Sequence, residues 1–79
     1  MRLSAGDKIE VVGNETIPEM KPGVYWVDYV DVVHGSQCYG FRKYYGRSTL
    51  VRHWTNLVDS LVGAGGGNRV DILQKAVAA

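Results

Sequence analysis

The chain contains one cysteine and two histidines, the residue types from which a thiol nucleophile and its base are built. Cys38 would be the nucleophile, and either His34 or His53 would be the base. No acid stands at a defined spacing to orient a histidine, and no motif supplies an oxyanion donor. A lone cysteine in a predicted strand is more typical of a small buried hydrophobic residue. We therefore expect no catalytic residue.

Metal and phosphate chemistry have equally little support. His34 and His53 are 19 positions apart, and with scattered acids they form no recognisable ligand set. The three consecutive glycines within residues 64–67 are followed by no Lys-Ser or Lys-Thr pair, so they do not match a nucleotide-binding loop. We expect a flexible glycine hinge there. Neither a metal nor a cofactor is expected.

A basic, aromatic segment is the remaining chemical signal. Residues 1–36 contain six acids and three bases, whereas residues 37–53 contain four bases and no acid. Tyrosine and arginine are enriched at protein interfaces, and they also stack on bases and reach phosphates in nucleic-acid complexes. The predicted binding surface consists of Tyr29, Arg42, Tyr44, Arg47, Arg52 and His53, with Trp54 as a further candidate. Alternatively, the bases neutralise the neighbouring acidic strand, as Lys43 would do opposite Asp28.

Residues 24–46 must position most of these side chains, and they are predicted to form two strands joined by a turn at residues 34–37. Their valine, tyrosine and tryptophan content suits a pleated, half-buried surface. With Val33 placed opposite Cys38, alternation assigns the side chains to two faces. The predicted core face carries Trp26, Asp28, Val30 and Val32 opposite Tyr45, Lys43, Phe41 and Tyr39. The predicted wet face carries Val27, Tyr29, Asp31 and Val33 opposite Tyr44, Arg42, Gly40 and Cys38.

The flanking segments add a first strand and a long loop. Residues 8–12 alternate polar and apolar, which predicts a strand whose Ile9 and Val11 point inward. Residues 14–23 hold both prolines and show no periodicity, which predicts a long surface loop. Ile17 and Met20 of this loop are candidates for tucking over the core.

Two interpretations of the segment after Gly46 stay open. Apolar residues at helical spacing favour an amphipathic helix over residues 49–62, giving an α+β fold with a three-stranded antiparallel sheet. The competing interpretation makes residues 49–54 a fourth strand, residues 55–57 a helical turn and residues 58–62 a fifth strand. Beyond the hinge, residues 69–77 are predicted to form a short helix capped by Asn68. The predicted domain is therefore residues 1–63, with residues 68–79 as a helical appendage.

The second interpretation resembles the SH3-like barrel family. The resemblance lies in a Gly-Asp strand opening at residues 6–12, a long loop, a Pro-Gly-led long strand, an aromatic strand, and the polar pair and leucine of residues 55–59. It implies a mainly β, five-stranded, strongly bent barrel whose long loop and hairpin tip flank a binding surface. The single-barrel plasmid-type dihydrofolate reductases are similar in layout. Their Val-Gln-Ile-Tyr signature would fall on residues 50–53, which are Leu-Val-Arg-His, so reductase activity is not implied.

Size and composition limit the function classes. Seventy-nine residues make one domain with a small core, and 46% hydrophobic with 22% charged residues is typical of a globular protein. The sequence has no apolar run of membrane-spanning length and no signal core, so we expect a cytoplasmic protein without a membrane partner. We expect a non-enzymatic binding module, or an accessory or inhibitory protein of the kind that mobile elements carry, with a protein partner.

Two alternatives belong to other classes. The first is a nucleic-acid-binding domain, for which four bases and a near-neutral pI give limited support. The second is an enzyme whose site forms by homo-oligomerisation, with a pore lined by symmetry-related Arg52 and His53.

Overall fold

The chain folds around one antiparallel sheet. The structure is a computed structural model, and it describes residues 2–13, 17, 20–43 and 50–76. The elements are β1 (Lys8–Val12), β2 (Gly23–Val33), β3 (Ser36–Arg42), β4 (Leu50–Trp54), α1 (Thr55–Asp59) and β5 (Arg69–Gln74). The strands lie in the order β4-β3-β2-β1-β5. The mainly β prediction is confirmed, with the described sheet open between β4 and β5.

The β2–β3 hairpin turns on His34 and Gly35, which have φ angles of 52° and 78°. Two successive residues with positive φ form a type I′ turn, whose twist matches that of the paired strands. Val33 therefore lies opposite Ser36, and the predicted pairing of Val33 with Cys38 is wrong. Because the register differs by two residues at the turn, the alternation of faces is unaffected there.

A β-bulge changes the faces further along β2. The register shifts between Val27 and Tyr29, which adds Asp28 to β2. Asp28 Oδ2 consequently lies 3.0 Å from Arg42 Nε. The predicted pair of Asp28 with Lys43 is wrong, because the register at the turn differs by two residues from the predicted one and the bulge shifts it by one more.

The bulge also divides the predicted core face. Tyr39 and Phe41 of β3 are completely buried, as predicted. In β2 the buried residues are instead Tyr25 and Val27, while Val32 is 59% exposed. The predicted core face is therefore wrong for Trp26 and Asp28. Val30 and Val32 pair with Tyr39 and Gln37 on the predicted face, but both are exposed, so their predicted burial is wrong. Periodicity assigns a whole strand to one alternation, whereas this strand changes alternation in its middle.

The inward side of the first strand and part of the long loop follow the predictions. Ile9 and Val11 are buried, as are Ile17 and Met20. The amide of Met20 donates to the carbonyl of Ile17 at 3.0 Å, which closes this part of the loop over the core. The buried core cluster consists of Leu3, Ile9, Val11, Ile17, Met20, Tyr25, Val27, Tyr39, Phe41, Val58, Leu61 and Val70.

The segment after residue 50 forms a strand followed by a single helical turn. β4 and α1 confirm that interpretation over residues 50–57, and the predicted helix over residues 49–62 is wrong. The predicted fifth strand at residues 58–62 is also wrong, because Val58 belongs to α1 and Val62 makes only an isolated bridge with Val70. No helix in the described ranges is long and apolar enough to cross a membrane.

The predicted helix at residues 69–77 is wrong over its described part, because residues 69–74 form β5 against β1. Val70 and Ile72 lie on the core side, opposite Val11 and Ile9. Pairing with β1 gives β5 backbone hydrogen-bond partners, whereas an isolated helix of about nine residues is marginally stable. The chain on both sides of the glycine segment thus contributes to one sheet.

Asp7 joins the N-terminal segment to the residues that follow β5. Its side chain is completely buried and accepts hydrogen bonds from Lys75 Nζ at 2.8 Å, Ala76 N at 2.7 Å and Ser4 N at 2.8 Å. Burial alone would raise the pKa of this carboxyl. The bonds from Lys75 and the two backbone amides outweigh burial, so the pKa of Asp7 lies below its ordinary value of 3.8.

We expect Asp7→Asn to lower the free energy of unfolding by about 1–3 kcal/mol at neutral pH, because a buried acceptor of three bonds is lost. Since the folded pKa is depressed, the stabilisation is present above the unfolded pKa and lost as the pH falls through the folded pKa. Urea unfolding from pH 7 to pH 2.5 should therefore show the two proteins converging below pH 3.8.

The matched control is Asp71→Asn, which removes the half-exposed ion pair with Arg69 at 3.0 Å. Its effect should be at most about 0.5 kcal/mol. An equal loss of stability in the two variants would contradict the structural role of Asp7.

Candidate functional site

The strand register assigns the side chains to two faces, because directly paired residues lie on the same side of an antiparallel sheet. One face packs on the core cluster. The opposite side, called the outer face below, has exposed or half-buried side chains except at Cys38 and Gly40. The outer face carries Lys8, Trp26, Tyr29, Asp31, Val33, Cys38, Gly40, Arg42, Leu50, Arg52 and Trp54.

Tyr29 and Gly40 form the centre of the outer face. They pair directly between β2 and β3, and the Tyr29 ring lies against the Gly40 backbone. A Cβ atom added to Gly40 would lie 2.6 Å from Tyr29 Cζ, well inside van der Waals contact. The absence of a side chain at Gly40 therefore fixes Tyr29 as a ring laid along the sheet.

Most cations of the outer face have partners. Arg42 is bridged to Asp28, and Lys8 Nζ lies 5.3 Å from the Trp26 ring centroid, within cation–π range. Arg52 is exposed and forms no ion pair with any described residue. It pairs with Gly40 across β3 and β4, so it lies on the same transverse row as Tyr29.

A shallow pocket adjoins Arg52 at the hairpin end of the face. It is lined by Val33, Cys38, Arg52, His53 and Trp54, and its volume is about 270 Å³. Cys38 is buried at 4% exposure, whereas Trp54 is 41% exposed. Ligand pockets for small molecules and cofactors usually measure about 300–1,000 Å³. The volume thus suits one apolar side chain rather than a cofactor.

The structure brings together part of the predicted surface. Tyr29, Arg42 and Arg52 share the outer face. His53 borders the pocket, but it pairs with Tyr39 on the core face and its Nε2 atom is buried. Arg52 and His53 therefore start from opposite faces of β4, although both border the pocket. Tyr44 and Arg47 lie outside the described residues.

The sequence did not identify Val33 and Cys38 as parts of a site with Trp54. The direct pairing of Cys38 with Trp54 brings the tryptophan beside the thiol. This neighbourhood depends on which residues of β3 and β4 are opposite each other. The available signal was the alternation Leu50, Arg52, Trp54, which is recognisable only once residues 50–54 are known to be a strand.

A polar cluster on the core face has a structural role. The Tyr39 hydroxyl donates to Asp59 Oδ1 at 2.6 Å and accepts from Leu3 N at 2.9 Å. Burial raises the pKa of the Tyr39 phenol, and the hydrogen bond to the Asp59 carboxylate raises it further. A phenol held neutral in this way joins β3 to α1 and to the N-terminal segment.

A second cavity, of about 420 Å³, lies beside β5. Its walls include Val62, Val70 and Ile72, and the charged groups at its rim are Asp71 and Lys75. Both charges already have partners, Arg69 and Asp7. The outer-face pocket is the better candidate because its charged group, Arg52, forms no ion pair within the part of the chain that the structure describes.

The described ranges bring no three His, Cys, Asp or Glu side chains together as a metal-binding group. No protein-family model, curated protein or solved structure matches the chain. The geometry of the outer face is therefore the observation that bears on function.

We expect Gly40→Ala to destabilise the fold by about 1–3 kcal/mol, because the new methyl group must displace the Tyr29 ring. In a Tyr29→Ala background the same change should cost much less, since no ring occupies the space. A double-mutant cycle by urea unfolding measures this coupling.

The control is Gly65→Ala, where an added Cβ meets nothing within 4 Å. Its effect should stay within about 0.5 kcal/mol. Additive effects of Gly40→Ala and Tyr29→Ala would show that the ring does not lie on the glycine.

Proposed function

We propose that the protein is a non-enzymatic binding module that recognises a protein partner through the outer face. The observation that supports this most is the combination of exposed Trp54 and exposed Arg52 at one small pocket. Tryptophan and arginine are the residue types that dominate binding energy at protein interfaces. Tyr29 adds a ring whose position is already fixed by Gly40, so little side-chain entropy is lost on binding.

The charges of the outer face favour a protein over a nucleic acid. Arg42 is neutralised by Asp28, and Asp31 stands exposed on the same face. A nucleic-acid surface instead concentrates bases that neutralise several phosphates together. A mixed surface on which Arg52 is the one described arginine without an ion partner is more suitable for a partner that presents a few carboxylates among apolar groups.

The proposed fold relationship is to the SH3-like barrels. Three features of the described sheet support it: β5 returns beside β1, a long loop separates β1 from β2, and one helical turn follows β4. In this proposal the pocket at the hairpin end of the sheet is the binding surface that the resemblance implies.

Affinity capture with the immobilised protein from a nuclease-treated extract of its source cells tests the proposal. We expect a partner whose binding is weakened at least about thirtyfold by Trp54→Ala, because truncating an interface anchor typically costs about 2 kcal/mol or more. Arg52→Ala should weaken the same complex. Competition binding measures both changes, and urea unfolding of each variant verifies that the fold is intact.

Leu73→Ala is the matched control, because Leu73 is 48% exposed on β5 at the other edge of the sheet. It should leave the complex unchanged. Wild-type affinity in both folded Trp54 and Arg52 variants would overturn the outer face as the binding surface. A complex that is captured from an untreated extract and lost when the extract is treated with nuclease would favour the nucleic-acid alternative.

A further inference from the structure

We propose that the outer-face site takes an extended peptide segment of the pattern apolar-x-acidic-x-apolar, lying beside β4 with its acidic residue at Arg52. This inference rests on the proposed function and specifies the chemistry of the partner. Its basis is the position of β4 at the edge of the described sheet, next to the pocket.

The geometry of β4 sets the spacing of the segment. Leu50, Arg52 and Trp54 alternate onto the outer face, about 6.6–6.8 Å apart. An extended segment beside an edge strand presents every second side chain to the same face, by the mode in which peptides add to sheets. Its side chains would therefore lie next to an apolar, a basic and an apolar residue in turn.

Charge and burial determine which side chains fit. Arg52 has no ion partner among the described residues, so a carboxylate at that position gains a charged partner without breaking an existing pair. Trp54, which is exposed and borders the pocket, provides apolar contact for one side chain. Leu50 is half-buried and offers a second apolar contact.

A second copy of the chain fits this edge less well. An antiparallel pairing that uses all five residues of β4 would place Arg52 opposite Arg52 of the other copy. Like charges directly opposite each other destabilise a pair of strands. The charge that suits an acidic segment therefore opposes self-association at β4.

Two blocked peptides, Thr-Leu-Thr-Glu-Thr-Leu-Thr and Thr-Leu-Thr-Lys-Thr-Leu-Thr, test the inference. In a Trp26→Phe protein the emission of Trp54 reports binding at the pocket. At about 20 mM salt we expect the Glu peptide to bind about three- to tenfold more tightly than the Lys peptide, and the difference to shrink in high salt. Arg52→Glu should reverse the preference.

Lys21→Glu is the matched control, since it makes the same charge change just before β2, at the end away from the hairpin. It should leave the preference for the Glu peptide intact. Equal binding of the two peptides, no binding, or a preference that survives Arg52→Glu would overturn the inference. So would a dimer in light scattering that Trp54→Ala dissociates, because the edge would then bind a second copy.

The peptide results that would overturn this inference can be distinguished from the capture results that would overturn the proposed function. The capture experiment detects any protein held by Trp54 and Arg52, whatever the sequence of its binding segment. A captured partner lost in both variants, together with peptides that do not discriminate, would retain the outer face as the binding surface and overturn only the extended acidic segment.

Discussion

Side chains along β3 point alternately to the core face and to the outer face. Because β3 lies between β2 and β4, both the core and the site depend on this alternation. Tyr39 and Phe41 point inward and are completely buried, and their rings contact each other with centroids 5.6 Å apart. The intervening Gly40 and the adjacent Cys38 must then point outward. The residues that build the core of β3 thereby fix a flat, side-chain-poor strip on the outer face. Tyr29 and Trp54 flank that strip from β2 and β4.

The same strand depends on contacts that lie far away in sequence. The Tyr39 hydroxyl reaches Asp59 and the amide of Leu3, and Asp7 binds Lys75 and Ala76. Both clusters hold the N-terminal segment, one against α1 and one against the end of β5. In a domain with a small core, such satisfied buried polar groups add specificity where apolar area is limited.

The sequence predicted the elements whose signals are local. The inward positions of Ile9 and Val11 follow from alternation, and the hairpin follows from two aromatic runs separated by a glycine turn. The Asp28 bulge could not be predicted, because it is a feature of how β2 pairs with β3 and leaves no signal in the residue types of β2 alone. Nor could the choice of strand over helix for residues 69–74, where β1 provides the pairing that decides it.

The sequence indicated which kinds of residue form the candidate site, but not which individual residues come together in it. Tyr29 and Arg52 lie on one face, and the remaining members follow from the pairing of three strands. Arg42 illustrates the limit: its charge was visible in the sequence, but its partner Asp28 became available only through the bulge. Tyr44 and Arg47, which lie outside the described residues, remain predictions.

The position of Arg52 has a consequence for how an edge strand is used. Proteins protect sheet edges with charged residues because a bare apolar edge pairs with any extended chain. Arg52 provides this protection between the apolar Leu50 and Trp54. It acts most strongly against an incoming strand that has a basic residue opposite Arg52. Protection by charge is selective rather than absolute, since a strand with a carboxylate there is attracted instead. One side chain can therefore discourage indiscriminate pairing and favour an acidic partner.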